Sequence, residues 1–186
     1  MIARLSRPRP LFALLFLLAI AAAILLGFGR PPICTCGVVR LWGEVGPAQS
    51  QMLADWYSPS HIVHGFLFYG LLHLAAPRWP VERRFLAALV VEAAWELVEN
   101  TPLIIDRYRE ATIALGYSGD SILNSLSDIG MMALGFWGAR RFPVWVSVTV
   151  VLLLELIPLL AIRDNLTLNI WMLVAPTDAV RAWQAS

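Results

Sequence analysis

Residues 92–129 read EAAWELVENTPLIIDRYREATIALGYSGDSILNSLSDI, and this stretch decides the fold that the sequence predicts. Two mostly apolar segments flank a polar hairpin, and both segments carry acidic side chains. In the first segment, Glu92, Glu96 and Glu99 have the spacing that places three side chains on one face of a helix. The stretch therefore predicts a helical hairpin whose apolar segments bring carboxylates into the interior of the protein.

The second apolar segment repeats the pattern, because Asp120, Asn124 and Asp128 recur every four residues and lie roughly on one side of a helix. Ionisable groups at membrane depth cost several kcal/mol unless they face a bundle interior, a cavity or a partner. Both sets of side chains are therefore candidates for a functional site.

Composition indicates a membrane protein. The chain has 186 residues, of which 59% are hydrophobic, and a mean hydropathy of +0.68. This is far more apolar than an ordinary soluble domain. The net charge of +1 and the lack of a basic run argue against nucleic acid as a partner. All 14 basic residues are arginine, which excludes lysine Schiff-base and lysine general-base chemistry.

The hydropathy pattern predicts an all-α, polytopic bundle that forms one integral membrane domain over residues 1–186. A short amphipathic helix at 103–115 suits the membrane interface, and the apolar segment 166–174 is too short to cross and is interfacial or re-entrant. The five predicted spans cover residues 11–29, 59–76, 85–100, 121–139 and 143–162.

The first span is predicted to be an uncleaved signal anchor, because Arg4, Arg7 and Arg9 precede a long uncharged run. A cleavable signal peptide is the alternative, since the small residues Ala21–Ala23 could form a cleavage site.

Arginine distribution orients the predicted bundle in a bacterial inner membrane. With a cytoplasmic N-terminus, eight arginines fall inside and five outside, in agreement with the positive-inside rule, while Arg181 in the C-terminal tail is left unassigned. Loops 78–84 and 140–141 are then cytoplasmic, whereas 34–57 and 102–119 face outward.

This orientation aligns polar groups of four helices in the outer half of the membrane, at about 1.5 Å per helical residue. They are His64, Glu92, Asp128 and Glu155. We therefore expect Glu92, Asp128 and one of His61 or His64 to lie within side-chain reach of one another.

Several of these residues also have purely structural interpretations. Ser58 is predicted to be the N-cap of the second span, with Pro59 at the first helical position, and Asp120 or Ser121 could cap the fourth span. Asn124 could be an interhelical hydrogen-bonding group, which is common in membrane bundles.

Cys34 and Cys36 are separated by one residue after the first apolar run. The sequence leaves open whether they form an easily reduced disulfide or remain free thiols. A metal site there would need further ligands.

Three motifs carry a resemblance to a known family: DWYSPSHIVHGFLFYG at 55–70, WELVENTPLIIDRYREATIALGYSGDSILNSLSDI at 95–129 and IRDNLTLNIWMLVAP at 162–176. They resemble a domain-of-unknown-function family of small bacterial multi-pass inner-membrane proteins, over about residues 34–184. The resemblance implies a cell-membrane protein and supplies no activity. A fainter similarity to the VanZ-like family rests on Trp-Glu-x-x-Glu and the later Gly-Asp-Ser.

The first functional hypothesis is an enzyme that acts on a lipid or lipid-linked substrate from the outer leaflet. Histidines and carboxylates suit a divalent metal cofactor, for which His61, His64 and Glu99 are candidate ligands. Arginine side chains could bind a phosphate headgroup. The candidate catalytic residues are Glu92, Glu96, Asp120, Asn124 and Asp128. The candidate substrate-binding residues are Arg107, Arg109 and Arg163.

The second hypothesis is a non-enzymatic scaffold or assembly factor whose polar interior fixes helix register. A small proton-coupled transporter is a variant of it, although five spans without a repeat would be few for a transporter.

Overall fold

The computed structural model describes residues 10–46, 48–112 and 116–186. Within these ranges the chain forms eight α-helices and no named strand. The predicted charged start, Arg4, Arg7 and Arg9, lies outside the described residues. The helices are α1 (Pro10–Gly27), α2 (Ser58–Ala75), α3 (Val81–Glu99), α4 (Pro102–Ala111), α5 (Ile122–Arg141), α6 (Val144–Ile162), α7 (Leu166–Val174) and α8 (Asp178–Ala185).

The all-α class is confirmed, and each of the five predicted spans corresponds to one helix: α1, α2, α3, α5 or α6. The amphipathic segment predicted at 103–115 is α4, which ends at Ala111, and residues 113–115 are not described. The short segment at 166–174 is α7. Helix α8 was not predicted.

Two of the described helices, α1 and α6, are long and apolar enough to cross a membrane. In α6 the side chains are largely exposed, and Pro158 is its buried residue. Helices α2, α3 and α5 are less apolar because they carry the polar residues that face the interior. Two such helices indicate membrane association only weakly, so the five-span topology stays a prediction.

The start of α2 differs from the prediction. Ser58 is the first residue of the helix and not its cap. The carboxylate of Asp55 accepts hydrogen bonds from the backbone N–H groups of Tyr57 at 2.7 Å and Ser58 at 3.2 Å, which satisfies donors that a helix start leaves free. The Ser58 hydroxyl is thereby available for a contact inside the bundle. In α5, Ser121 is the N-cap, as one of the two predicted alternatives.

Helices α2 and α5 pack with their backbones in contact, at two glycines. A Cβ at Gly65 would overlap backbone atoms of Met132 and Phe136, and one at Gly135 would overlap the carbonyl of Ile62. Because only glycine permits this approach, these two positions bring the polar faces of α2 and α5 together.

The bundle has an apolar half and a polar half. In the apolar half, α1, α3 and α5 bury Phe85, Leu89, Ile129, Met132 and Phe136. On α3 the apolar residues come before Glu92 in the sequence, whereas on α5 they come after Asp128. Since the Phe85 and Phe136 rings lie 5.2 Å apart, the two helices run antiparallel and their acids collect at the opposite end.

The loop after α1 contains a disulfide between Cys34 and Cys36. The sequence left this pairing open. No metal-ligand group among the described residues includes either cysteine.

Candidate functional site

Two histidines of α2 contact one glutamate of α3. His61 Nδ1 lies 2.6 Å from Glu92 Oε1, and His64 Nδ1 lies 3.0 Å from Glu92 Oε2. The spacing of three residues puts both rings on the same face of α2. Glu92 is completely buried and His61 almost so. Both oxygens of the Glu92 carboxylate therefore contact a histidine ring nitrogen.

The same imidazole also faces two further acids. His61 Nδ1 lies 3.4 Å from Glu96 Oε1, and His61 Nε2 lies 3.8 Å from Asp128 Oδ2. The expected proximity of Glu92, Asp128 and a histidine is thereby confirmed. Asp128 is held in place by Ser58, whose hydroxyl donates to Oδ1 at 3.0 Å.

Glu96 is the least satisfied side chain of the cluster. It is 1% exposed, and neither carboxyl oxygen has a hydrogen-bond partner among the described residues. A buried polar atom without a partner normally costs free energy, so such a group calls for an explanation such as an ion.

Asp120 marks the loop end of the cluster. Asn100 donates to Asp120 Oδ2 at 2.7 Å and accepts from the Asp120 backbone N–H at 2.8 Å, while the Tyr117 hydroxyl donates to Oδ1 at 2.9 Å. Burial raises the pKa of Asp120 from its ordinary value to about 6. Burial and the neighbouring Asp120 raise the pKa of Tyr117, so its hydroxyl remains a donor at neutral pH.

Arg30 fixes the loop that carries Asp120. Its guanidinium donates to the carbonyls of Ser118 at 2.7 Å and Asp120 at 3.1 Å. Gly119 between them has a φ of +86°, and a Cβ there would overlap the guanidinium. Asp120 is therefore positioned by both backbone and side-chain contacts.

One cavity of about 600 Å³ reaches the cluster. Its polar wall contains two histidines and five carboxylates, and no arginine among the described residues lines it. The wall therefore carries an excess of acids that a bound cation would compensate. These polar residues are His61, His64, Asp55, Glu92, Glu99, Asp120 and Asp128.

The rest of the cavity wall is largely apolar. Phe68, Trp95 and Ile162 contribute to it, and so do Leu67 and Ile170. Leu67 is 46% exposed and Ile170 is 52% exposed. The cavity thus joins a buried polar cluster to an exposed apolar rim.

Three overlapping groups of side chains could each hold a metal ion, since their ligand atoms lie within 4.8 Å of one another. Two groups include Glu96, and two include His61. The groups are His61–His64–Glu92, His61–Glu96–Asp128 and Glu96–Glu99–Asp120.

The structure brings the predicted catalytic and metal-binding residues into one region, although their roles stay predictions. Asn124 lines the cavity, but its side-chain N–H group donates to the carbonyl of Met52 at 3.0 Å. This bond ties α5 to the loop between α1 and α2, so Asn124 has a structural contact, although its partner lies in a loop and not in another helix.

The predicted substrate-binding arginines lie elsewhere. Arg107 donates to the carbonyl of Leu173, Arg109 to that of Tyr117, and Arg163 to that of Trp183. None of the three is among the residues that line the cavity. Their contacts instead tie α4, α7 and α8 to neighbouring segments.

Glu155 does not join the cluster, although its predicted depth matched. Its carboxylate accepts hydrogen bonds from the backbone N–H groups of Leu166 and Thr167 and from the Thr167 hydroxyl, at 2.6–3.2 Å. Glu155 therefore caps α7. Its depth along α6 did not predict its position, because the side chain contacts the start of α7 and does not line the cavity.

Sequence reasoning missed four residues that shape the site. Ser58 contacts Asp128, Asn100 and Tyr117 hold Asp120, and Asp55 organises the start of α2. Ser58 and Asn100 could have been found from their helical spacing to His61 and Glu96. The pairing of Tyr117 with Asp120 had no signal, because it depends on loop conformation.

Comparison with known proteins gives a family and several close relatives. The sequence is 56% identical over 172 residues to a UPF0314 protein of Novosphingobium aromaticivorans, covering 87% of this chain and 85% of that protein. It is 52% identical over 182 residues to a UPF0314 protein of Paracoccus denitrificans, covering 97% and 94%. No solved structure matches. Residues 25–186 match the family described as "Protein of unknown function (DUF2585)", and the chain belongs to this family.

Proposed function

We propose that this protein is a multi-pass inner-membrane enzyme that uses a divalent metal to act on a lipid or lipid-linked substrate. The observation that carries the proposal is the cavity, which combines a buried histidine–carboxylate cluster with an exposed apolar rim. Its volume of about 600 Å³ lies within the range of about 300–1,000 Å³ typical of ligand pockets.

The metal is assigned to His61, His64 and Glu92. Two imidazoles and one carboxylate form the donor set of several catalytic zinc sites, in which a fourth position stays open. The short contacts between these side chains fit this role, because each residue offers a ligand atom within 4.8 Å of the others. A divalent cation held by these three residues would supply Lewis-acid polarisation of an ester or phosphoryl oxygen.

Asp128 is the proton acceptor in this proposal. Its carboxylate lines the cavity beside the metal-binding group, and Ser58 fixes its orientation through Oδ1. Oδ2 is 3.8 Å from His61 Nε2, which is longer than a hydrogen bond, so this oxygen is available to accept a proton from water or a substrate hydroxyl.

A lipid enters through the apolar rim. Leu67 on α2, Val91 on α3 and Ile170 on α7 all line the cavity, and each is about half exposed. An acyl or prenyl chain could lie against this rim with its headgroup at the acids. The distribution of exposed leucine, valine and phenylalanine on α1 and α6 supports a surrounding bilayer.

The test is metal content together with lipid turnover. The protein purified in detergent should retain about one zinc ion per chain at this site. It should also change the mass of at least one species in a bacterial lipid extract. His64→Gln should lose both properties.

Asp106→Asn is the matched control, because this acid lies in an exposed pair with Arg109. It should retain both metal and activity. A purified protein that holds no divalent metal and alters no lipid would overturn the proposal. Stoichiometric recovery of a protein partner in that case would favour the scaffold hypothesis.

A further inference from the structure

A second group of acids lies beside the histidine cluster and is not used by the proposed reaction. Glu96, Glu99 and Asp120 each offer one oxygen within 4.8 Å of the others. Ligands of one hard cation lie about 2.0–2.6 Å from it, so two of them are at most about 5 Å apart. The spacing of the three acids meets this limit.

Glu96 gives independent evidence for a ligand at this position. Both of its oxygens are buried and lack a hydrogen-bond partner among the described residues, although nearby Asn100 and Ser125 carry polar groups. Asn100 instead bonds to the Glu96 backbone carbonyl, to Asp120 and to Ser125. The Asn100 amide is thus engaged elsewhere, and His61 Nδ1, which lies 3.4 Å from Glu96 Oε1, is hydrogen-bonded to Glu92 at 2.6 Å. The Glu96 carboxylate therefore lies beside Glu99 and Asp120 without a hydrogen bond of its own among the described residues.

Asp120 is oriented as a metal ligand would be. Asn100 donates to one carboxyl oxygen and the Tyr117 hydroxyl donates to the other. Each oxygen accepts one hydrogen bond and retains a lone pair for a further interaction. Such outer contacts typically hold metal-binding side chains in position.

We propose that Glu96, Glu99 and Asp120 form a second cation site, which takes a hard divalent cation such as Mg²⁺ or Mn²⁺. An all-oxygen donor set selects these ions, whereas the histidines of the first site favour zinc. Glu99 and Asp120 line the cavity, so an ion bound there is accessible to a substrate headgroup.

The second site deepens the proposed function and rests on it for its catalytic role. No arginine among the described residues lines the cavity, so its side chains cannot compensate a phosphate through a guanidinium. Two neighbouring cations would supply that charge, as they do in two-metal phosphoryl-transfer sites. A pair of cations of this kind would suit a phosphate ester or phosphoanhydride carried by a lipid.

Manganese binding tests the second site without any activity assay. The detergent-purified chain is loaded with zinc and titrated with Mn²⁺, and the electron paramagnetic resonance signal of free Mn²⁺ reports binding. Wild-type protein should bind about one Mn²⁺ in addition to zinc. Glu99→Gln should weaken Mn²⁺ binding by at least about tenfold while zinc content stays unchanged.

Two controls keep the result interpretable. Asp106→Asn, at an exposed acid, should leave Mn²⁺ binding at the wild-type level. His64→Gln should lose zinc and keep Mn²⁺ binding. Retained zinc and an unchanged melting temperature show that the Glu99→Gln variant is folded.

The outcomes separate the two proposals. Wild-type protein that retains zinc but binds no Mn²⁺ overturns the second site and leaves the proposed function standing. Equal Mn²⁺ binding by wild type and Glu99→Gln also overturns the second site. Protein that binds Mn²⁺ but no zinc overturns the first metal site instead.

Discussion

The α2–α3–α5 cluster and the α6–α7 junction both contain a glutamate within a mostly apolar helix, and they differ in what surrounds it. Glu96 on α3 is buried without a hydrogen-bond partner among the described residues. Glu155 on α6 accepts three hydrogen bonds, two of them from the backbone at the start of α7.

The difference shows that the role of an acidic side chain in an apolar helix depends on the groups that surround it. Where a neighbouring helix begins, free N–H groups satisfy the carboxylate and the acid stabilises the fold. Where only other acids and an imidazole lie nearby, the carboxylate is available for a cation or a proton. Each prediction that follows tests one side of this contrast.

The largest expected effect is an all-or-none difference in chemical labelling. The proposed topology puts the α2–α3–α5 cluster and the α6–α7 junction on the outer side of the membrane, and labelling tests that orientation. After Cys34 and Cys36 are replaced, Glu110→Cys in the outer loop should react with a membrane-impermeant thiol reagent in intact cells. Arg83→Cys should not react, because its loop is assigned to the cytoplasm by the positive-inside rule. Labelling at Arg83→Cys alone would reverse the orientation.

Replacing Glu96 by glutamine should abolish function, whereas the same replacement of Glu155 should not. Glu96→Gln should abolish complementation of a deletion phenotype and lower Mn²⁺ affinity by about 10–100-fold, because it removes a proposed ligand. Its melting temperature should stay equal or rise, provided that the amide finds partners, since an unpartnered acid carries a desolvation cost.

Glu155→Gln should complement fully and bind Mn²⁺ as wild type does. Leu89→Ala is the packing control, because this fully buried side chain lies in the apolar half. It should lower the free energy of unfolding by about 2–5 kcal/mol without selective loss of metal. Full complementation by Glu96→Gln would exclude a catalytic role for the second cation site.

A single added methyl group should disrupt the close approach of α2 and α5. Gly135→Ala would place a Cβ on the Ile62 carbonyl, so the helices must separate. We expect a loss of about 1–3 kcal/mol in the free energy of unfolding, together with weaker zinc binding, because a displaced α2 moves His61 and His64 relative to Glu92 on α3.

Gly130→Ala on the same helix is the matched control, because no atom lies within 4 Å of the added Cβ. It should leave zinc binding unchanged and increase stability by up to about 1 kcal/mol, since alanine favours a helix. Thermal unfolding and metal analysis measure both variants. Equal stability of the two variants would contradict the proposed backbone contact.

The smallest effect concerns the cap of α7. Glu155→Gln should lower the free energy of unfolding by about 1 kcal/mol, because a neutral amide is a weaker acceptor for the helix N-terminus than a carboxylate. Thermal unfolding with and without high salt measures this change. A stabilised Glu155→Gln variant would show that the cap contributes little.

Hydrophobic periodicity and composition determined the class of the molecule and the place of most helices. Helical spacing also put Glu92, Glu96 and Glu99 on one face, and the antiparallel course of α3 and α5 brings Asp128 to the same level. These features are local or follow from chain order, so the sequence alone predicts them. The expectation that one of His61 or His64 lies near Glu92 followed from depth along the helices.

Only the tertiary structure decided which side chains share a contact. It turned Glu155 toward α7, directed Arg107 and Arg163 to carbonyls, and brought Tyr117 onto Asp120. These outcomes depend on the rotation of each helix about its axis and on loop conformation. Both are set by the packing of distant segments, such as the glycine contact between α2 and α5, and a periodic sequence pattern carries no information about such packing.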